Sequence, residues 1–152
     1  MAQRRVLFLC TGNSCRSQMA EGLVNHVLDG AWMASSAGTA PAGYVHPLAI
    51  RAMEELGVDI SGQRSKSVEE FREVRFDVVI TVCDQAAENC PLWLGTGEIH
   101  HLGFPDPADA AGSEEEQMTV FRRVRDGLRR ELARHFRETE NRAAKGRTSD
   151  TT

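Results

Sequence analysis

Residues 76–82, in the middle of the chain, form an almost unbroken run of apolar and β-branched side chains, Phe-Asp-Val-Val-Ile-Thr-Val. Such a run is typical of a strand that is buried on both faces of a parallel sheet. A second apolar run, Val6 to Leu9, ends at Cys10 and is followed by the turn residues Gly12 and Asn13. Because parallel strands need long crossover connections, the two runs predict an α/β fold.

The segments between the strand-like runs have the spacing of amphipathic helices. Apolar residues recur at helical intervals over residues 17–28. Further expected elements are a strand over 32–36, a helix from Pro47 to about Gly57, a short helix over 68–71, an edge strand over 98–102 and a last helix that Ser113 caps. The chain of 152 residues is thus expected to form one domain over residues 1–140, with a disordered tail over 141–152.

Composition excludes several classes of protein. Hydrophobic residues make up 41% and charged residues 26% of the chain, which excludes collagen-like, coiled-coil and wholly disordered proteins. The sequence has no bilayer-spanning apolar run and no signal-peptide pattern, so we expect a soluble, cytoplasmic protein without membrane contacts or structural disulfides. The net charge is −4, although ten basic and five acidic residues lie in the last 35 positions. We interpret this basic end as a solvated helix face and expect no nucleic-acid binding, because no aromatic pattern accompanies the arginines.

The segment from Cys10 to Ser17, Cys-Thr-Gly-Asn-Ser-Cys-Arg-Ser, joins the first strand to the first helix. Backbone N–H groups in such a turn converge beside a helix N-terminus, where a tetrahedral oxyanion fits. Arg16 adds a fork of donors, and the same positive field favours the thiolate of Cys10, a candidate nucleophile. The alternative is a buried structural cysteine before an ordinary helix. The candidate oxyanion-binding residues are Thr11, Gly12, Asn13, which can brace the loop, Ser14, Cys15, Arg16, and Ser17, which can donate a hydrogen bond to the thiolate.

Two more cysteines, Cys83 and Cys90, follow the buried strand in a polar segment. Because Cys10 and Cys83 each lie where a strand of a parallel sheet ends, the two clusters can meet at one edge of that sheet. A reactive thiolate, a resolving thiol and a third cysteine would make a redox relay. The alternatives are an inert pair of cysteines, or a zinc site completed by His100 and His101, although neither pair has the usual spacing of zinc ligands.

A carboxylate is placed beyond the last predicted strand, in the segment Gly-Phe-Pro-Asp-Pro-Ala that ends at Ala108. Flanking prolines hold Asp106 in a stiff turn, on the side where the cysteine clusters are expected to gather. A reaction that expels an oxygen needs a proton donor, and Asp106 is the candidate general acid. The alternative is a simple Asp-Pro turn without a chemical role.

The segment from Val6 to Gly22, Val-Leu-Phe-Leu-Cys-Thr-Gly-Asn-Ser-Cys-Arg-Ser-Gln-Met-Ala-Glu-Gly, resembles the low-molecular-weight tyrosine phosphatase family, and most of all its thioredoxin-coupled arsenate reductases. The resemblance extends to about Arg137 and implies a four-stranded parallel sheet flanked by helices. It also implies a redox pair with the separation of Cys83 and Cys90, which plain phosphatases lack. Phosphatases of this family usually have a tyrosine where Ala108 follows the Asp-Pro pair, and this departure favours a small inorganic oxyanion.

The resemblance therefore implies an arsenate reductase. Cys10 would attack arsenate while Asp106 protonates the departing hydroxide. Cys83 would release arsenite and form a disulfide with Cys10, and Cys90 would take over that disulfide for reduction by thioredoxin. The expected partners are arsenate, with phosphate or sulfate as mimics, and thioredoxin, and the chain is expected to be a monomer without a bound cofactor.

Some members of the family bind potassium. Asn13, Glu21 and Ser36 match that site as remnants, but the nearby segment offers cations where oxygen ligands would be expected. Arg64 or Lys66 would then replace the charge of the ion, which implies kinetics that do not depend on potassium.

Two other functions use the same residues. A phosphatase hydrolysing phosphate monoesters would need Cys10, Arg16 and Asp106 but neither relay cysteine. A redox-sensing or oxyanion-binding module would use the cysteines without turnover. In each case Cys15 is expected to be a structural passenger of the loop.

Overall fold

The computed structural model describes the backbone of residues 4–28, 31–84, 93, 95 and 97–149, and side chains up to residue 138. Its strands are β1 (Arg4–Cys10), β2 (Trp32–Gly38), β3 (Val78–Thr81) and β4 (Glu98–His101). Its α-helices are α1 (Arg16–His26), α2 (Pro47–Glu54) and α3 (Glu114–Ser149), and short 3₁₀ turns lie at Val68–Phe71 and Pro107–Asp109. The described strands form one parallel sheet in the order β2-β1-β3-β4, which confirms the single α/β domain with a four-stranded sheet flanked by helices.

The apolar runs fill the centre of the sheet, as the sequence predicts. All of β3 is buried, and so are residues 6–10 of β1, because each of these strands has a neighbour on both sides. One face of the sheet packs with α1, α2 and α3 in the larger core cluster, and the other covers a smaller cluster around Phe76 and Trp93. Full burial of a side chain such as Leu7 stabilises the fold by about 1.5–3 kcal/mol.

Element ends differ from the sequence prediction where pairing or helix geometry decides them. Strand β2 continues to Gly38 because it pairs with β1 along its whole length, up to Cys10. Helix α2 ends at Glu54, before a turn in which Gly57 has a φ of 76°. Helix α3 continues to Ser149, because residues 141–149 add no proline that would stop it. The backbone of those residues is therefore helical, and the division into a domain and a tail at residue 140 stays a prediction.

The start of α3 confirms the predicted cap. The Glu116 N–H donates to Ser113 Oγ and the Ser113 N–H donates to Glu116 Oε1, both at 3.2 Å. This reciprocal pair is a capping box, and it satisfies N–H groups that the first turn of a helix leaves without partners. In the described part of the chain, no helix is long and apolar enough to cross a membrane.

The register of the central strands brings the two cysteine clusters to one edge of the sheet. Leu9 of β1 is the partner of Thr81 of β3, and the Val82 N–H donates to Leu9 O at 2.9 Å. Cys10 and Cys83 each follow directly from this pairing. The carboxyl edge of the parallel sheet, where ligands of α/β proteins bind, therefore carries both residues.

Candidate functional site

The oxyanion loop (residues 10–16) has its carbonyl groups turned outward. Four donors from outside the loop hold these carbonyls: Ala40 N–H on Thr11 O (3.0 Å), Ala42 N–H on Gly12 O (2.8 Å), His46 N–H on Ser14 O (3.0 Å) and the Gln18 amide on Asn13 O (3.0 Å). In a planar trans peptide the N–H points opposite to the C=O. The N–H groups that follow these carbonyls therefore face the inside of the loop, where an oxyanion can accept from them.

Three of these donors belong to the strap (residues 39–46), which runs beside the oxyanion loop. The strap can approach because the preceding residue, Gly38, has no side chain: a Cβ there would collide with Thr11 O and lie 3.1 Å from Asn13 N. Asn13 has a φ of 48°, a left-handed conformation that asparagine tolerates better than most residues. Backbone geometry, rather than any single side chain, gives the loop its shape.

Cys10 lies at the centre of this loop and is 2% exposed. Its sulfur is 3.2 Å from the Asn13 N–H, which donates to it, and 3.0 Å from Ser17 Oγ. Ser17 Oγ accepts a 2.8 Å bond from the Asn13 amide, so its own hydrogen is available for the sulfur. Two donors therefore point at one sulfur, and cysteine attacks an electrophile as the thiolate.

Arg16 connects the oxyanion loop to the turn that follows β4. Its guanidinium is 2% exposed and donates from Nη1 to Phe104 O at 3.1 Å. Its Nη2 lies 3.6 Å from Asp106 Oδ2, and the other carboxylate oxygen accepts the Ala108 N–H at 3.0 Å. The structure thus brings Asp106, 90 positions after Arg16 in the chain, to the loop that carries Cys10 and Arg16. The side chain of Asp106 is 32% exposed and can exchange protons with solvent.

The cysteines differ in state. Cys10 and Cys15 are free thiols, whereas Cys83, which is buried, is disulfide-bonded, so that disulfide does not include Cys10. Burial raises the pKa of Cys15 to about 12, and the thiol form therefore persists at neutral pH. The role of Cys15 as a passenger of the loop stays a prediction. Cys90 lies outside the described residues.

A polar cluster lies behind the loop, on the side away from Asp106. The Asn13 amide donates to Ser36 Oγ at 3.0 Å, and Ser36 Oγ donates to Glu21 Oε1 at 2.7 Å. Lys66 Nζ is 3.7 Å from the same carboxylate oxygen. Burial raises the pKa of Glu21 and lowers that of Lys66, and their mutual attraction opposes both shifts.

The same cluster tests the fit of a potassium ion. The Lys66 ammonium, 3.7 Å from Glu21 Oε1, comes from the segment where a further oxygen ligand would be needed. These residues therefore do not fit a potassium ion. Arg64, the other candidate cation, pairs at the surface with Glu70, 2.7 Å away. Of the two residues that could replace the ion, Lys66 is the one that faces the site.

The zinc alternative has no support from the two histidines. His101 Nδ1 is 2.7 Å from Thr81 Oγ1, and His100 Nε2 is 3.1 Å from Glu98 and stacks edge-to-face on His135. Among the residues that the structure describes, no three His, Cys, Asp or Glu side chains are arranged to hold a metal ion.

Sequence reasoning missed the residues that hold the oxyanion loop from outside. Besides the strap, Ser65 Oγ donates to Gly12 O at 3.2 Å, and the Lys66 N–H donates to Asn13 Oδ1 at 2.9 Å. The two contacts from residues 65 and 66 span 53 positions and those of the strap span 29 to 32, and most use backbone groups that any residue carries. Gly38, at the end of a strand, was the available signal, since glycine there often marks a close backbone approach.

Comparison with known proteins places this geometry in a family. The family described as low molecular weight phosphotyrosine protein phosphatase matches residues 5–145. An arsenate reductase of Halalkalibacterium halodurans is 45% identical over 139 residues, which cover 91% of this chain and 99% of that protein. A structure of an arsenate reductase in the phosphate binding state has a TM-score of 0.71 and 33% identity, and covers 90% of this chain and 98% of the other.

A thioredoxin-dependent arsenate reductase of Corynebacterium glutamicum has a TM-score of 0.62 and 27% identity, and covers 90% of this chain and 63% of the other. The matches extend over nearly the whole described domain, including the strand, loop and helix that carry Cys10 and Arg16. The chain belongs to the low molecular weight phosphotyrosine protein phosphatase family, and within that family it is similar to the arsenate reductases.

Proposed function

We propose that this protein reduces arsenate to arsenite and passes the resulting oxidation through a disulfide relay to thioredoxin. The observation that carries the proposal is the edge of the sheet shared by two different cysteines. One is Cys10, a free thiol inside a loop of inward-facing N–H groups, and the other is Cys83, already disulfide-bonded where the neighbouring strand ends. The similarity to arsenate reductases supports the choice of substrate.

In the first step the oxyanion loop binds arsenate through the N–H groups of Thr11 to Ser17 and the Arg16 guanidinium. Phosphate or sulfate, which are also tetrahedral, would compete for these donors. The Cys10 thiolate attacks arsenic, a sulfur–arsenic bond forms, and an arsenic–oxygen bond breaks. Asp106 protonates the departing oxygen, which leaves as water, and is recharged from solvent at its exposed face.

In the second step Cys83 attacks the sulfur of Cys10. The sulfur–sulfur bond forms as the sulfur–arsenic bond breaks, and its electron pair remains on arsenic, which leaves as arsenite. Cys90 then attacks Cys83 and releases the Cys10 thiolate. The final Cys83–Cys90 disulfide receives two electrons from thioredoxin, which returns both thiols. A disulfide on Cys83 that excludes Cys10 is the state expected after this last internal exchange.

The relay is proposed to operate in the cytoplasm, where thioredoxin keeps protein thiols reduced. The chain is proposed to act as a monomer, since every group named in the relay lies on one chain. A potassium ion is not part of the mechanism, because Lys66 faces the cluster that would hold it. Potassium chloride in place of sodium chloride should therefore leave kcat and KM for arsenate unchanged.

The deciding experiment is arsenate-dependent oxidation of thioredoxin, followed by the loss of NADPH in a coupled assay with thioredoxin reductase. Wild-type protein should turn over, and Cys10→Ser, Cys83→Ser and Cys90→Ser should each stop turnover. Cys15→Ser is the matched control and should retain it, because that buried thiol has no part in the relay. Turnover that survives Cys90→Ser would remove the relay from the mechanism.

Hydrolysis of phosphate monoesters is the second candidate function. Cys10, Arg16 and Asp106 provide a nucleophile, a phosphate clamp and an acid without any relay cysteine. Turnover of an aryl phosphate that exceeds arsenate turnover, and that is unaffected by Cys83→Ser, would favour this function over arsenate reduction.

A further inference from the structure

A chain of hydrogen bonds leads from the nucleophile to an ion pair on the far side of the oxyanion loop. Its successive contacts are Cys10 Sγ–Ser17 Oγ (3.0 Å), Ser17 Oγ–Asn13 Nδ2 (2.8 Å), Asn13 Nδ2–Ser36 Oγ (3.0 Å), Ser36 Oγ–Glu21 Oε1 (2.7 Å) and Glu21 Oε1–Lys66 Nζ (3.7 Å). The side chains of Lys66 and Glu21 are 10% and 13% exposed. Water therefore screens this ion pair much less than it screens a pair at the surface.

The direction of each bond in the chain follows from two fixed ends. The first fixed end is the backbone N–H of Lys66, which can only donate and which donates to Asn13 Oδ1. The Asn13 amide nitrogen must then point the other way, with one hydrogen toward Ser17 and one toward Ser36. Both hydroxyl oxygens accept from Asn13, so each has its own hydrogen left to donate.

The second fixed end is the carboxylate of Glu21. A carboxylate only accepts, so the Ser36 hydroxyl donates to it and cannot turn back toward Asn13. The Lys66 ammonium attracts the same oxygen and is itself fixed by a 2.8 Å bond to Arg64 O. Lys66 therefore acts on the chain twice, with its backbone at Asn13 and with its side chain at Glu21. Among the described residues, the Ser17 hydroxyl is then left with the Cys10 sulfur as its one acceptor.

We propose that Lys66 is a positioning residue for Cys10, which holds the Ser17 and Asn13 donors on the sulfur through Glu21 and Ser36. The role of Cys10 as the nucleophile rests on the proposed function, whereas the effect on its reactivity does not. Without the ammonium, the Glu21 carboxylate loses its counter-charge and its fixed position. The Ser36 hydroxyl then loses the fixed acceptor that keeps its oxygen turned toward Asn13. The Asn13 amide, still held at Oδ1 by the Lys66 N–H, loses a fixed acceptor for one of its two hydrogens, and the donors on the Cys10 sulfur are held less rigidly.

The test compares Lys66→Met with Arg64→Met. Both remove a cation from the same segment, but the Arg64 side chain pairs with exposed Glu70 and not with the chain. In reduced protein carrying Cys83→Ser and Cys90→Ser, we expect Lys66→Met to slow alkylation of Cys10 by iodoacetamide roughly tenfold. Arg64→Met should change that rate less than twofold. In otherwise wild-type protein, Lys66→Met should lower kcat for arsenate by a similar factor and leave KM within about twofold, since the loop N–H groups remain.

Lys66→Arg keeps the positive charge next to Glu21 and should recover at least half of the wild-type rate of Cys10 alkylation. Equal rates for the two methionine variants, or a loss that Lys66→Arg does not relieve, would overturn the proposal. If Lys66→Met does not fold, Ser36→Ala cuts the chain between Asn13 and Glu21, and an unchanged alkylation rate in that variant would overturn it as well. Because alkylation needs no arsenate, the effect of Lys66 on Cys10 reactivity can be measured even if the protein does not reduce arsenate.

Discussion

The two sides of the site, the oxyanion loop and the turn that carries Asp106, are held in different ways. The loop has four carbonyls fixed by outside donors, and Cys10 is 2% exposed. Asp106 is 32% exposed, caps its own short turn through Ala108, and lies 3.6 Å from Arg16. Groups that stabilise developing charge are effective when they are preorganised, whereas a proton donor must also be recharged by water. The difference predicts that the loop controls binding and attack, and that the turn controls proton transfer.

Replacement of the residue shared by both sides should have the largest effect. Arg16→Lys removes the forked donor at the end of the oxyanion loop, which holds Phe104 O and faces Asp106. A lysine cannot make these contacts together, so kcat/KM for arsenate should fall about 10³-fold. Steady-state kinetics with arsenate and with an aryl phosphate measures the loss. Similar losses for both substrates are expected, and a loss confined to one would contradict a common oxyanion site. Arg51→Lys, at an exposed position of α2, is the control.

The Asp106 turn can be tested without disturbing the loop. Asp106→Asn keeps an oxygen for the Ala108 N–H but cannot supply the proton, so kcat for arsenate should fall about 10²-fold with KM little changed. Phenyl phosphate, whose leaving group needs a proton, should lose more than p-nitrophenyl phosphate, whose leaving group does not. Equal losses for the two esters would mean that Asp106 is not the acid. Asp109→Asn, in the same turn, should leave all three rates unchanged.

The two sides also differ in how far the sequence predicts them. The burial of β1 and β3 and the meeting of Cys10 with Cys83 follow from apolar runs and from the rule that ligands bind at the carboxyl edge of a parallel sheet. Asp106 could be found because a carboxylate between prolines is unusual in itself. The outside supports of the loop could not, since a backbone N–H such as that of Ala40 or Ala42 has no signature in the sequence.

Side chains behind the loop show the same limit. The resemblance pointed to Glu21 and Ser36, and offered Arg64 and Lys66 as equal candidates for the neighbouring charge. Only the path of the chain between β2 and β3 decides that Lys66 turns inward while Arg64 pairs with Glu70. Neighbouring residues of the same charge thus receive different roles from tertiary contacts that no local pattern records.

A substitution behind the loop should test its rigidity. Gly38→Ala places a Cβ against Thr11 O and 3.1 Å from Asn13 N, and both are backbone atoms that cannot move aside alone. The loop must shift, and we expect kcat/KM for arsenate to fall roughly 10–100-fold because small displacements of catalytic groups are costly. Gly62→Ala is the matched control, since nothing lies within 4 Å of its added Cβ. Comparable activity of the two variants would mean that the oxyanion loop is not held more rigidly than the Asp106 turn.

The smallest expected effect concerns the end of the strap, where His46 caps helix α2. The ring atom Nδ1 of His46 accepts the Leu48 N–H at 3.1 Å, which only the neutral ring can do. The backbone N–H of His46 donates to Ser14 O. Burial of the ring lowers the pKa of His46, and the nearby Asp106 carboxylate partly opposes the shift. As the pH falls, the His46 ring is therefore protonated in the unfolded chain before it is protonated in the folded protein. The cap contributes fully to stability above about pH 6.5, and this contribution is lost as the pH falls through the lower pKa of the folded state.

Asparagine caps a helix without titrating in this range, so His46→Asn is the informative variant. Urea unfolding at pH 7.5 and at pH 5 should give a free energy of unfolding that falls by up to about 1 kcal/mol more in the wild type than in the variant. All other titrating groups are shared by the two proteins and cancel in this difference. A difference that does not depend on pH would show that His46 holds the strap through its backbone alone. A dependence of the expected sign would show that the His46 ring, at the end of the strap, couples the stability of the protein to pH between 5 and 7.5.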